Sequence, residues 1–151
     1  MKSETTRRIA LLVAALVAIN VVARLVARFA LPAGTDPFQA GAWSMLAMVV
    51  VAGVVAFRWT RDRRVPPVAG DLFWAVLATT LVVTLAGPLV SAHPSYDPGS
   101  TAAQLGLCAG LLALGGGGGV LLAVALGLDP TSRAWQAQAA RVKPRQPGAR
   151  R

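Results

Sequence analysis

The sequence predicts an all-α integral membrane protein: a bundle of four transmembrane helices with short loops and both termini in the cytoplasm. Three observations carry this expectation. The chain is 55% apolar and only 14% charged, whereas soluble domains carry roughly a quarter charged residues. The apolar residues fall into four blocks separated by charge, proline and glycine. The arginines crowd into alternate connections between those blocks.

A bilayer core of about 30 Å takes about 20 helical residues, and the blocks at 9–31, 40–57, 72–92 and 102–128 reach or approach that length. Each is rich in Ala, Leu and Val and lacks the alternation of a barrel strand. In lipid only a helix satisfies the backbone groups of such a segment. Residues 1–8 then form a short N-terminal segment, 9–128 a single transmembrane domain and 129–151 a basic tail.

Charge sets the orientation. Lys2, Arg7 and Arg8 precede the first block, and Arg58, Arg61, Arg63 and Arg64 lie between the second and third. Arg133, Arg141, Lys143, Arg145, Arg150 and Arg151 follow the fourth. The two remaining connections hold Asp36 in one and His93 with Asp97 in the other, without Lys or Arg. This positive-inside pattern places both termini and the 58–71 turn in the cytoplasm. Phe57, Trp59, Phe73 and Trp74 mark the inner edge, and Phe29, Phe38, Trp43 and Tyr96 the outer one. Heavy use of Ala, Val, Gly and Arg with few Lys suits a GC-rich bacterial genome, so the expected location is the plasma membrane. A net charge of +9 arranged this way speaks for attraction to anionic lipid and not for nucleic acid, since no folded basic module accompanies it.

The start of the chain has a second reading. Met1 to Ala23 fits a secretory signal, with a basic start, an apolar run from Ile9 and a cleavage site at Val21-Val22-Ala23. Cleavage would leave three helices. The apolar run continues through Leu25, Val26 and Phe29 to Leu31, which favours an uncleaved helix.

Within the first block Asn20, Arg24 and Arg28 recur at i, i+4 and i+8, one stripe of a helix. With the helix centred near Ile19, Arg24 stands about 7–8 Å from the midplane and Arg28 near the outer boundary. A charge at such depth is a functional candidate, and a guanidinium offers a bidentate fork to a lipid phosphate or acidic substrate. Both arginines also have a plain reading, with the stem along the helix and the head at the headgroups. Pro88 in the third block leaves the Thr84 carbonyl without its usual helical donor, at a depth matching Arg24. Thr84 is therefore the expected partner region for Arg24.

Gly115 to Gly119 is the oddest local feature. Gly106 and Gly110 form one G-x-x-x-G, and Gly115 and Gly119 another, a spacing that lets helix backbones approach closely in lipid. Close packing is the preferred reading; a discontinuous helix with an ion or substrate site is the rival. Asp129-Pro130 closes the fourth helix and caps a short interfacial helix from Thr131 to about Val142, anchored by Trp135. From Lys143 onward the composition predicts disorder.

No catalytic, cofactor-binding or metal-ligating set emerges. His93 is the lone histidine, and His93, Tyr96 and Asp97 fall in a Pro/Gly-rich loop at 91–100. Cys108, the lone cysteine, reads as a small packing residue. The expected function is a non-catalytic accessory or scaffold subunit, working through helix packing and membrane lipids as a homo-oligomer or in a larger membrane complex. The alternative is a small oligomeric transporter of an anionic or amphipathic solute, using Arg24 and residues 115–119. No carboxylate lies inside a block, which disfavours proton or cation coupling. A lipid-acting enzyme using His93, Asp97 and Arg24 ranks third.

Overall fold

A computed structural model describes residues 2–29, 37–90 and 98–141. The described residues form five α-helices: α1 (Lys2–Phe29), α2 (Pro37–Asp62), α3 (Val65–Val90), α4 (Pro98–Ala125) and α5 (Pro130–Arg141). The first four are long and apolar enough to cross a membrane. The loop residues His93, Tyr96 and Asp97, and the tail from Val142, lie outside the described residues.

The helices run past the apolar blocks, because apolar length measures the bilayer while helix length is set by stop signals. The turn expected at 58–71 shrinks to Arg63 and Arg64, between Asp62 and Val65. Likewise Pro98, Gly99 and Ser100, read as loop, open α4. Proline begins α2, α4 and α5, and Pro66 and Pro67 fall in the first turn of α3. In a first turn the missing N–H has no intrahelical partner to lose.

The neighbours around the bundle run α1, α2, α4, α3 and back to α1. Val49 faces Gly115 and Gly53 faces Gly119, so residue numbers rise together and α2 is parallel to α4. Leu72 faces Gly116 and Thr80 faces Cys108, so α3 runs antiparallel to α4. Each of three helices buries a stripe at four-residue spacing: Leu12, Leu16 and Asn20 on α1; Ser44, Met48, Ala52, Ala56 and Thr60 on α2; Cys108 and Leu112 on α4.

Polarity is distributed unlike that of a water-soluble bundle. The interior holds hydroxyls, alanines and glycines beside Leu16, Met48 and Leu112, whereas Leu114 is 73% exposed and Trp43 72%. Exposed leucines, valines and aromatics cover α1 to α4 from end to end, far beyond the apolar patch a soluble monomer tolerates. Between helices, small residues allow close approach of the backbones. Buried hydroxyls are partly satisfied by their own helix: Ser44 Oγ donates to the Gly41 carbonyl and Thr60 Oγ1 to the Ala56 carbonyl, each at 2.8 Å.

Candidate functional site

The Asn20–Arg24–Arg28 stripe continues the buried line of Leu12 and Leu16 on α1, so it begins inside the bundle. Asn20 is buried and its Oδ1 accepts a 2.8 Å hydrogen bond from Arg24 Nε. The spacing of four that identified the stripe is what allows this bond within one helix. Arg24 itself is half-buried. Its guanidinium lies within electrostatic range of Cys108 on α4, across the diagonal of the bundle. The Arg28 side chain lies outside the described residues.

On α3, Thr80 and Thr84 are buried one turn apart. The Thr80 hydroxyl meets Cys108 Sγ at 3.9 Å. Thr84 Oγ1 is buried without a hydrogen-bond partner, as is Thr79 Oγ1. The expected approach of α1 to α3 is present, for these helices pack along each other. The Arg24 Nε bond goes to Asn20: an amide four residues away on the same helix is reached without moving a second backbone.

Together Asn20, Arg24, Thr80, Thr84 and Cys108 bring an amide, a guanidinium, two hydroxyls and a thiol to the same half of the bundle. Their chemistry suits holding a hydrogen-bond acceptor or an anion. Sequence reasoning placed Thr80 beside Thr84 on the side facing Arg24 but left Cys108 out of the site; its signal was weak, since a lone cysteine among leucines reads as packing.

The second expected site resolves into two opposite behaviours. A Cβ built at Gly115 would lie 2.5 Å from the Val49 carbonyl oxygen, and one at Gly119 would overlap the Gly53 carbonyl. Here α2 and α4 touch backbone to backbone, and α4 stays helical through the whole glycine run. Gly106 and Gly110 do not share this interface: a Cβ at either meets nothing within 4 Å. Gly53, the partner of both packing glycines, shares its block with one other glycine, Gly41, three turns away, and carried no spacing signal.

A third polar cluster gathers at the arginine-rich end. Arg63 Nη1 donates to Asp71 Oδ2 at 2.8 Å across the α2–α3 turn, and its guanidinium lies over the Trp59 ring, 5.2 Å from the centroid. Arg133 Nη2 donates to the Arg61 carbonyl at 2.8 Å and Arg133 Nε to the Leu128 carbonyl at 2.7 Å, tying the start of α5 to the end of α2. The α4–α5 corner is made by Gly127 at φ 65°. Leu128 N donates to the Ala123 carbonyl and Gly127 N to that of Val124, a Schellman ending. Asp129 Oδ2 then accepts from Thr131 N and Ser132 N, both at 3.1 Å, as an N-cap for α5. Hydrogen bonds from the Ser132 hydroxyl and amide, and then from the Thr131 amide, hold the Asp129 carboxyl below the usual carboxylate value.

Comparisons of the chain with protein-family models, with curated proteins and with solved structures gave no match.

Proposed function

We propose that this chain is a four-span membrane protein with cytoplasmic termini that acts as a non-catalytic accessory or scaffold subunit. It works through packing of helices and contact with lipid, in a plasma membrane. The observation that carries the reading is the α2–α4 seam, where Gly53, Gly115 and Gly119 bring two backbones into contact and leave α4 unbroken. A seam of this kind has no slack for the unwound segment on which midplane carriers rely. It suits a rigid platform whose outer faces are apolar and continuous. Net positive charge at the 58–64 turn, and its near absence from the opposite connections, supports the orientation.

The transporter alternative draws support from one feature, the Asn20–Arg24–Thr80–Cys108 cluster with the unpartnered Thr84 hydroxyl beside it. The two readings separate by experiment. The full-length protein is extracted in mild detergent with its native lipids, and everything that accompanies it stoichiometrically is identified. Foreign subunits at fixed ratio are expected for an accessory protein. Purified protein alone that drives anion flux in liposomes, with the flux lost in Arg24→Ala, overturns the scaffold reading in favour of transport.

A further inference from the structure

A groove at the arginine-rich end lies between the α2–α3 turn and α5, with a volume of about 430 Å³, within the range of ligand sites. Its walls include Arg64 and Pro66 from the turn and Pro130, Thr131, Trp135 and Gln138 from α5. We propose that this groove binds the phosphate headgroup of an anionic phospholipid, with Arg64 as the charge that selects it. The inference rests on the membrane-spanning reading, because that reading puts the groove at the level of the headgroups.

The composition of the walls carries the argument. No carboxylate lines the groove, and its polar side chains, Arg64, Thr131 and Gln138, can all donate hydrogen bonds. Pro66 and Pro130 have no N–H and present rings instead. The α5 N-terminus is already occupied by Asp129, so the anion-binding capacity of the groove resides in Arg64.

Two other basic groups nearby are committed. Arg63 is paired with Asp71, and Arg133 is spent on the carbonyls of Arg61 and Leu128. Arg64 is exposed and forms no ion pair among the described residues. A guanidinium in that position matches a phosphodiester in a two-pronged fashion. Trp135 is 69% exposed on α5, and an indole at the wall prefers the boundary where headgroup meets acyl chain. Charge and amphipathic wall therefore point to one occupant, a lipid whose phosphate meets Arg64 while its chains lie along the exposed apolar faces above.

The test uses full-length protein purified in mild detergent, washed, and analysed for retained lipid after exposure to mixtures of phosphatidylglycerol and phosphatidylcholine. Selective retention of the anionic lipid is expected in the wild type. Arg64→Gln should lower that occupancy at least fivefold, the factor expected for one charge near a lipid surface. Arg64→Lys should restore part of it, and Arg58→Gln, exposed at the same end but outside the groove, should leave it unchanged. Equal losses in Arg64→Gln and Arg58→Gln would reduce the effect to diffuse attraction and overturn the site. Displacement of the lipid by millimolar inorganic phosphate would also overturn it, in favour of a free-anion site.

Should Arg64→Gln misfold, a phospholipid with a photoreactive headgroup on wild-type protein decides the matter. Labelling at 64–66 and 130–138 supports the groove, and labelling elsewhere sinks it. Resistance of the chain to alkaline extraction from membranes is measured alongside. Release by alkali defeats the membrane reading itself, whereas retention with no lipid selectivity defeats only the groove.

Discussion

Two parallel helix pairs stand side by side in this bundle and are joined by opposite means. Between α2 and α4 the contact is largely backbone on backbone, with Gly115 against the Val49 carbonyl and Gly119 against that of Gly53. Where α1 and α3 pack along each other, the buried side chains are larger or polar, Leu12, Leu16 and Asn20 on α1 and Thr80 and Thr84 on α3. The first seam is held by dispersion and by the absence of volume. The second depends on side-chain shape and on polar groups that need partners. Shape errors should therefore be ruinous at the glycine seam, and chemical errors should dominate at the polar one.

The largest effect is expected at Gly119. Gly119→Ala drives a methyl into the Gly53 carbonyl and should destabilise the bundle by about 3 kcal/mol, read from denaturant unfolding in detergent. Gly117→Ala, one methyl added two residues away into open space, should cost nothing and gain up to about 1 kcal/mol in helix propensity. Equal outcomes for the pair would dissolve the contrast between the seams.

At the polar seam, Asn20→Ala removes the acceptor of Arg24 Nε and should cost about 1 kcal/mol, near the typical value for polar contacts in membrane bundles. Adding Arg24→Ala to that variant should cost little more if the two side chains act as a unit. A strictly additive double variant would show that they do not.

A smaller effect of opposite sign is expected at Thr84. Its hydroxyl is buried and unpartnered, so Thr84→Val should stabilise by roughly 0.5 kcal/mol. Thr60→Val, which loses the bond to the Ala56 carbonyl, should not. Destabilisation by Thr84→Val would reveal a partner for that hydroxyl and sharpen the case for a bound anion.

The smallest effect lies outside both seams. Asp129→Ala should raise amide hydrogen exchange across Pro130–Arg141 and leave unfolding of α1 to α4 unchanged. Because the folded Asp129 carboxyl is held below its ordinary value of 3.8, its capping contribution is fully present above that pH. It is lost as pH falls through the lower folded value. Protection of the α5 amides relative to their intrinsic exchange rates should thus be unaffected by the carboxylate between pH 7 and about 5, and fall in acid.

What could be read directly from residues was whatever local chain physics decides. Four helices follow from apolar lengths matched to a bilayer, and the start of α5 follows from Asp129 and Pro130; the earlier end of α4 at Ala125, turned by Gly127, was not read. The alignment of Asn20 with Arg24 follows from a spacing of four. The signal read at Asp129-Pro130 went unread at Asp36-Pro37 and Asp97-Pro98, which also stand where a helix begins.

Packing decided the rest, because it depends on which faces meet. Five glycines in a row look alike in sequence, yet the phase of α4 aims Gly115 and Gly119 at α2 and Gly116 at Leu72 and leaves Gly117 and Gly118 in open space. Gly106 and Gly110 have the right spacing on the wrong face. The bond from Arg63 to Asp71, the tie from Arg133 to Arg61 and the meeting of Cys108 with Thr80 all join residues on different helices. Hydropathy sets how many helices cross; only the rotation of each helix about its axis sets which residue finds which, and no local pattern encodes that angle.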